Sequence, residues 1–392
     1  MTSGPLHGVR VVELAGLGPA PFAAMLLADL GADVIRVDRP GGDEPAAAPP
    51  PYDLLGRGRP RVAIDLKRPE GVRVVKDLVA RSDALVEGFR PGVAERLGLG
   101  PDDCLAVNPR LIYGRMTGWG QAGPLAETAG HDIDYIAMSG VLHAIGRSGG
   151  PPQIPMNLLG DFAGGGLYLV VGVLAGILEA RTSGQGQVVD AAIVDGSAHL
   201  ATMIVGMLGA GTWRTERGHN LLDSGAPFYD VYETADGEHL AVGAIEPQFW
   251  QALLDRLSDV GVDIAELPNR NDLARWPELR KRLAETFATR TRAEWADIFD
   301  GTDACVAPVL SMPEAAGHPH LAARGTYVEH HGVTQPAPAP RFSRTPAALS
   351  TPPRPSGADG PEALQRWDVG DVDALVESGV VGAGRTNDSE EK

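Results

Sequence analysis

Residues 8–40 read "GVRVVELAGLGPAPFAAMLLADLGADVIRVDRP". VRVVEL is rich in β-branched residues and reads as a strand. Pro21 stands where a first helical turn tolerates proline, residues 23–30 favour helix, and Gly31 ends it. DVIRV is a second strand. Strand, helix and strand in this order make a βαβ unit, whose strands run parallel because the helix carries the chain back over the sheet. The alternation continues outward. RVAIDL (61–66) reads as a strand, GVRVVKDLVARS as a helix, ALVEGF as a strand and RLIYGRM (110–116) as another. VVDAAIV (188–194) follows a long apolar helix. The pattern predicts a doubly wound α/β domain over residues 1–200.

Near residue 222 the pattern changes. "APFYDVYETADGEHLAVGAIE" is two alternating segments joined by Ala235-Asp236-Gly237-Glu238, a hairpin signal. Charged helical stretches follow: PQFWQALLDRLSD, WPELRKRLAETFA and TRAEWADIFD. These features predict a helical linker over 201–224, a small α+β domain over 225–315 and a return linker over 316–334. The proline-rich stretch around 335–360 is expected to complete the large domain, and 361–392 to form a disordered tail.

Bulk properties narrow the function. Apolar residues make up 43% of the 392-residue chain, enough for sizeable cores. A net charge of −17 argues against a nucleic-acid partner, which needs a basic field. Cys104 and Cys305 stand alone, which suggests a reducing compartment, and "MTSGPLHGVR" lacks the apolar core of a secretory signal. A cytoplasmic location is the expectation. Residues 162–178 carry no charge, but the run is shorter than the roughly 20 residues of a membrane span. A helix of a soluble core is expected there.

Three groups of residues carry chemistry. The turn "AGLGPAP" offers Gly16 and Gly18, with Asp38 where a ribose-binding acid would stand. Pro21 replaces the third glycine of a dinucleotide fingerprint, so a nicotinamide cofactor is not expected. Arg36 and Arg39 end the second strand, Lys67 follows the third, and Arg90 and Arg96 follow the fourth. Ligands of open parallel sheets bind beyond the carboxyl ends of the strands, so this recurrence on an acidic chain points to a phosphorylated ligand. The third group is titratable. "AGHDIDY" places His131 beside Asp132, and "LLGDFAGGG" places Asp161 before an apolar run. Singly, each has a bland reading: a core histidine, a helix cap, or for Glu246 of "GAIEPQF" a first-turn acid. Four such groups in glycine-rich, apolar contexts together suggest a site.

Residues 11–40, "AGHDIDY", "LLGDFAGGG" and the hairpin stretch through "GAIEPQF", with "LVEGFRPGVAERLGLG", "GRMTGWGQAGP", "GQGQVVDAAIVDG" and "PAPRFSR", resemble the family III CoA-transferase superfamily, and most closely its α-methylacyl-CoA racemase branch. The similarity runs from about residue 5 to about 345. It implies a Rossmann-like large domain, a smaller α+β domain and an interlocked homodimer whose site lies between two chains. It also implies roles. His131 and Asp161 match the catalytic pair, His131 for the 2S proton and Asp161 for the 2R proton. Asp132, Glu246 and Tyr135 match supporting positions, and Leu17, Arg39, Lys67, Arg90 and Arg96 match CoA contacts. The chain ends "DSEEK", without the peroxisomal address of some members. No metal or redox cofactor is implied, since CoA is part of the substrate.

The chemistry fits these groups. A thioester weakly acidifies its α-hydrogen, and inverting that carbon needs a base on one face and an acid on the other. Burial raises a carboxylic acid and lowers an imidazolium, so that the two can exchange roles. Asp132 or Glu246 would orient the imidazole. If Asp161 opens its helix, free amides beside it would stabilise the enolate oxygen, and glycines 164–166 would let substrate or another backbone approach. The alternative is an acyl-CoA:carboxylate CoA-transferase with Asp161 as nucleophile.

Overall fold

A computed structural model describes residues 4–41 and 48–383. The chain forms two compact units; the second takes residues 140–155 and 201–319, and the first the remainder.

The first unit is built on six strands: β1 (Arg10–Leu14), β2 (Asp33–Asp38), β3 (Arg61–Ala63), β4 (Ala84–Glu87), β5 (Ile112–Thr117) and β6 (Gln187–Ala192). They are all parallel, in the order β3-β2-β1-β4-β5-β6. This is the doubly wound order. The chain steps outward from β1 in one direction to β3, then returns to place β4 on the other side of β1. The loops leaving β1 and β4 therefore diverge, and a crevice opens between their carboxyl ends.

Each sheet face is covered. The helix Pro19–Asp29 and the long helix ending at Ser183 pack on one face with Val11, Val34, Val86 and Ile112. The approach is close: a Cβ at Gly114 of β5 would stand 2.9 Å from Leu169. The run Leu158–Ser183, 26 residues, is long and apolar enough to cross a membrane by length and composition alone. Its inner face is sheet cover, which accounts for Leu169, Val173 and Ile177.

The other face is closed by the helix Pro69–Val79 and by the carboxyl-terminal segment. Here the expected tail over 361–392 is corrected. Helices Gly360–Arg366 and Val372–Glu377 are ordered, and Leu364, Trp367 and Val380 are fully buried. The Trp367 indole donates to Asp33 at 2.8 Å, and the Gly382 amide donates to the carbonyl of Ala63, the last residue of β3, at 2.9 Å. Three large apolar side chains covering an open sheet face outweigh the polar composition around them. The rest of that expected tail, 384–392, lies outside the described residues.

In the second unit β7 (Tyr229–Glu233) and β8 (His239–Gly243) form the predicted hairpin, joined by β9 (Val306–Pro308) in an antiparallel sheet. Gly237 adopts φ +75° in the turn. Helices Pro247–Asp259, Trp276–Phe287 and Arg292–Phe299 cover it around Phe287 and Trp295. Residues 140–155 belong here and not to the large domain, as their position in the chain suggested. Arg147 pairs with Asp230, whose carboxylate is buried and also takes Arg280. The expected return linker holds the helices Met312–Gly317 and Pro319–Arg324 and the strand β10 (Tyr327–His330), which pairs with β11 (Val333–Pro336) in the first unit.

Candidate active site

The turn after β1 and the loop after β4 start side by side at the base of the crevice before they part. A Cβ on Gly16 would stand 4.0 Å from the Gly88 backbone. Gly18 adopts φ +67°, and a Cβ there would stand 3.3 Å from Asp161 Oδ2. Asp161 thus reaches the dinucleotide-like turn, which holds no third glycine but presents Leu17, 60% exposed.

Asp161 does not open its helix. It lies inside Leu158–Leu167, a π-helical stretch with an i→i−5 bond from the Phe162 amide to the Asn157 carbonyl at 3.3 Å. Its own amide is not free: it donates to Asp132 Oδ1 at 2.7 Å, and the Gly160 amide serves the same carboxylate. The expected oxyanion donor at Asp161 is therefore already engaged. The wide turn is set by glycines. A Cβ on Gly160 would stand 2.3 Å from Asp132, one on Gly164 2.7 Å from Ser197, and one on Gly166 2.7 Å from Phe22. Glycines 164–166 admit neighbouring protein, not substrate.

His131 precedes the helix Asp132–Met138, and its amide donates to the Asp134 carboxylate at 2.9 Å. Its imidazole is exposed on this chain. Asp132 is buried, with Oδ2 lacking any partner among the described residues. It holds the backbone of Asp161; the expected bond to the imidazole is not formed. Tyr135 is buried on the next turn. Its hydroxyl donates to the Gly130 carbonyl at 2.5 Å, and its ring meets Trp119 edge-on at 4.7 Å. Ile133, Met138, Met156 and Leu158 lie exposed on the segments that carry the pair, an apolar border suited to an acyl chain.

The electrostatics follow from this packing. Burial pushes the Asp161 carboxyl upward; the Asn157 side-chain amide, donating at 3.3 Å, opposes the shift, the Asp132 charge adds to it, and His131 opposes it. His131 is thus within electrostatic reach of Asp161. Burial also raises Asp132, against the amides of Asp161 and Gly160. Burial raises Tyr135 as well, with Asp161 and Asp134 adding and Arg90 opposing.

The basic residues divide. Arg39, Lys67, Arg90 and Arg96 are exposed, and among the described residues no carboxylate pairs with any of them. All follow carboxyl ends of strands. Arg36 is corrected: it is buried, donating to Glu13 at 2.6 Å and to Asp38 at 3.0 Å. Asp38 also takes Arg61 at 2.8 Å, which leaves it no ribose to bind. Glu246 stands in the second unit, exposed, immediately before the helix Pro247–Asp259. Sequence reasoning missed Asn157 and Gly18 as neighbours of Asp161. Gly18 carried a signal in the tight turn; Asn157 carried none.

A carboxylate within electrostatic reach of an imidazole, beside a doubly wound sheet, is the arrangement of an acid–base enzyme. The chain is a member of CoA-transferase family III, whose model matches residues 6–360. It is 49% identical to the alpha-methylacyl-CoA racemase of Mus musculus, covering 92% of this chain and 93% of that protein. It is 50% identical to the alpha-methylacyl-CoA racemase of Homo sapiens, covering 88% of each. Among solved structures it is similar to a CAIB/BAIF family protein from Brucella suis, with a TM-score of 0.80, 26% identity, and 93% of this chain and 100% of that one covered.

Proposed function

We propose that this chain is an isomerase that interconverts 2R- and 2S-methylacyl-CoA thioesters by 1,1-proton transfer through an enolate. The observation that carries the reading is the near-half identity to two racemases over most of both chains. His131 and Asp161 are the two acid/base groups. The raised Asp161 carboxyl narrows its gap to an imidazolium from the acid side, so that either can give back what the other removed. Asp132 and Tyr135 fix the two segments that bear them, and Glu246 supports the pair. Leu17, Arg39, Lys67, Arg90 and Arg96 hold the CoA moiety, with the exposed guanidinium and ammonium groups facing its phosphates.

Proton transfer alone needs no metal or redox cofactor. A homodimer is part of the proposal. Met203 and Val205 are 58% and 61% exposed on the helix Thr202–Gly209, none of whose residues is buried, and this apolar area calls for cover. A cytoplasmic location is also part of it, supported by two free cysteines. The test is incubation of one epimer of a 2-methylacyl-CoA in deuterated water, with and without a free carboxylic acid. The expected result is α-deuterium with loss of optical purity, independent of the acid. Movement of CoA onto the acid with the α-hydrogen retained would establish the transferase instead.

A further inference from the structure

The loop after β4 carries two of the proposed phosphate contacts, Arg90 and Arg96, and among the described residues no carboxylate pairs with either. Two flexible side chains on a loop would gain little affinity unless their backbone were fixed, because ordering them on binding costs free energy. The structure fixes it at three points, all reached from the sheet.

Glu87 ends β4 and is fully buried. Its Oε2 accepts the Phe89 amide at 2.6 Å, one residue before Arg90. Its Oε1 accepts Arg115 Nε at 3.0 Å, from the residue paired with it in register on β5. The other end of the Arg115 guanidinium holds Glu95 in a fork, at 2.8 and 3.3 Å. Glu95 sits in the one-turn helix Val93–Arg96, immediately before Arg96. Two residues back on β5, and so on the same sheet face, the Tyr113 hydroxyl donates to the Leu99 carbonyl at 2.8 Å. Residues 89, 95 and 99 are thus tied to β4 and β5, and both arginines fall beside an anchor.

We propose that Glu87, Arg115, Glu95 and Tyr113 are positioning residues that hold Arg90 and Arg96 in place for the phosphates of the CoA moiety. The proposal rests on the acyl-CoA reading above. Arg115 is the central element, since one guanidinium joins the strand pair to the short helix. Charge supports this: one guanidinium lies between two carboxylates, and burial leaves Glu87 pushed up to about 7 while Glu95 is lowered by its bond to Arg115.

Glu95 is the residue to change, because it lies at the surface and its loss leaves no buried charge unpaired. Wild type, Glu95→Gln and Arg96→Ala are compared on a 2-methylacyl-CoA and on the matching 2-methylacyl-pantetheine, which lacks the adenosine phosphates, with melting curves alongside. In Glu95→Gln the preference for the CoA thioester, as a ratio of kcat/KM, is expected to fall roughly tenfold through KM, in the direction of Arg96→Ala. Tyr113→Phe, which keeps the buried ring, is expected to fall the same way by less. An undiminished preference in Glu95→Gln would overturn the proposal. So would equal losses on both thioesters, the mark of a general structural role. A wild type with no preference for the CoA thioester would overturn the placing of CoA itself, and this inference with it.

Discussion

Asp132 offers the sharpest test of how the site is built. Its carboxylate accepts the amides of Asp161, at 2.7 Å, and Gly160, and its second oxygen has no partner among the described residues. Replacing it by alanine orphans two amides in a packed turn, at about 1–3 kcal/mol each, so roughly 2–6 kcal/mol of stability is at stake. The loss also frees the π-helical turn to relax, and a displacement of about 1 Å at Asp161 can cost on the order of 10²-fold in turnover. Asparagine keeps an oxygen for the same amides. Asp132→Asn is therefore expected to stay within about 1.5 kcal/mol of wild type and to keep most of its activity. It removes a charge that raises Asp161, so the acid limb of the pH profile in the direction where Asp161 is the base should move to lower pH. Denaturant melts and α-deuterium uptake on the three proteins decide the matter. If Asp132→Asn is as inactive as Asp132→Ala while remaining folded, the carboxylate's charge is what counts, and the backbone-anchor reasoning fails.

Other consequences follow from the same packing. Trp367→Ala removes a fully buried ring and its bond to Asp33, and should cost about 3–5 kcal/mol in denaturant melts; a loss under about 1 kcal/mol would contradict the ordered carboxyl-terminal cover. Glu87 is pushed up from the ordinary 4.5 to about 7, so ionising it costs more in the folded chain. Roughly 3 kcal/mol of stability is fully present below about pH 4.5 and is lost as pH rises from there through about 7. Glu87→Gln should flatten that slope, and an unchanged slope would assign it elsewhere. Lys67→Ala and Arg96→Ala should raise KM for acyl-CoA and make it less sensitive to salt, with little change in kcat; unchanged KM in both would move the CoA site.

The sheet was legible because its signals are local. Residues 8–40 carry strand, turn, helix and strand in one stretch, and the same alternation set Arg39, Lys67 and Arg90 after the carboxyl ends of β2, β3 and β4. What escaped depends on contacts far apart in the chain. "LLGDFAGGG" looks like a capped helix start, yet Gly160, Gly164 and Gly166 meet Asp132, Ser197 and Phe22, and the fit of those surfaces widens the turn around Asp161. Arg36 counted among the basic residues at the strand ends, but the register sets it beside Glu13 on the neighbouring strand, where it is buried. Leu364, Trp367, Val369, Val372 and Val380 are spread among acidic and glycine residues over two short helices, and the sheet face they cover lies far back in the chain.

The central claim is that two groups serve two faces of one carbon, and enantiomer-resolved exchange tests it most directly. Deuterium uptake is measured from the 2R and the 2S thioester separately, with wild type, His131→Ala and Asp161→Ala. Wild type should exchange and invert both. Removing a positioned acid or base costs about 10²–10⁴-fold, so inversion should collapse in each variant. His131→Ala should keep exchange without inversion from the 2R ester alone, and Asp161→Ala from the 2S ester alone. Equal residual exchange from both enantiomers in either variant would mean that one base serves both faces, and would contradict the account.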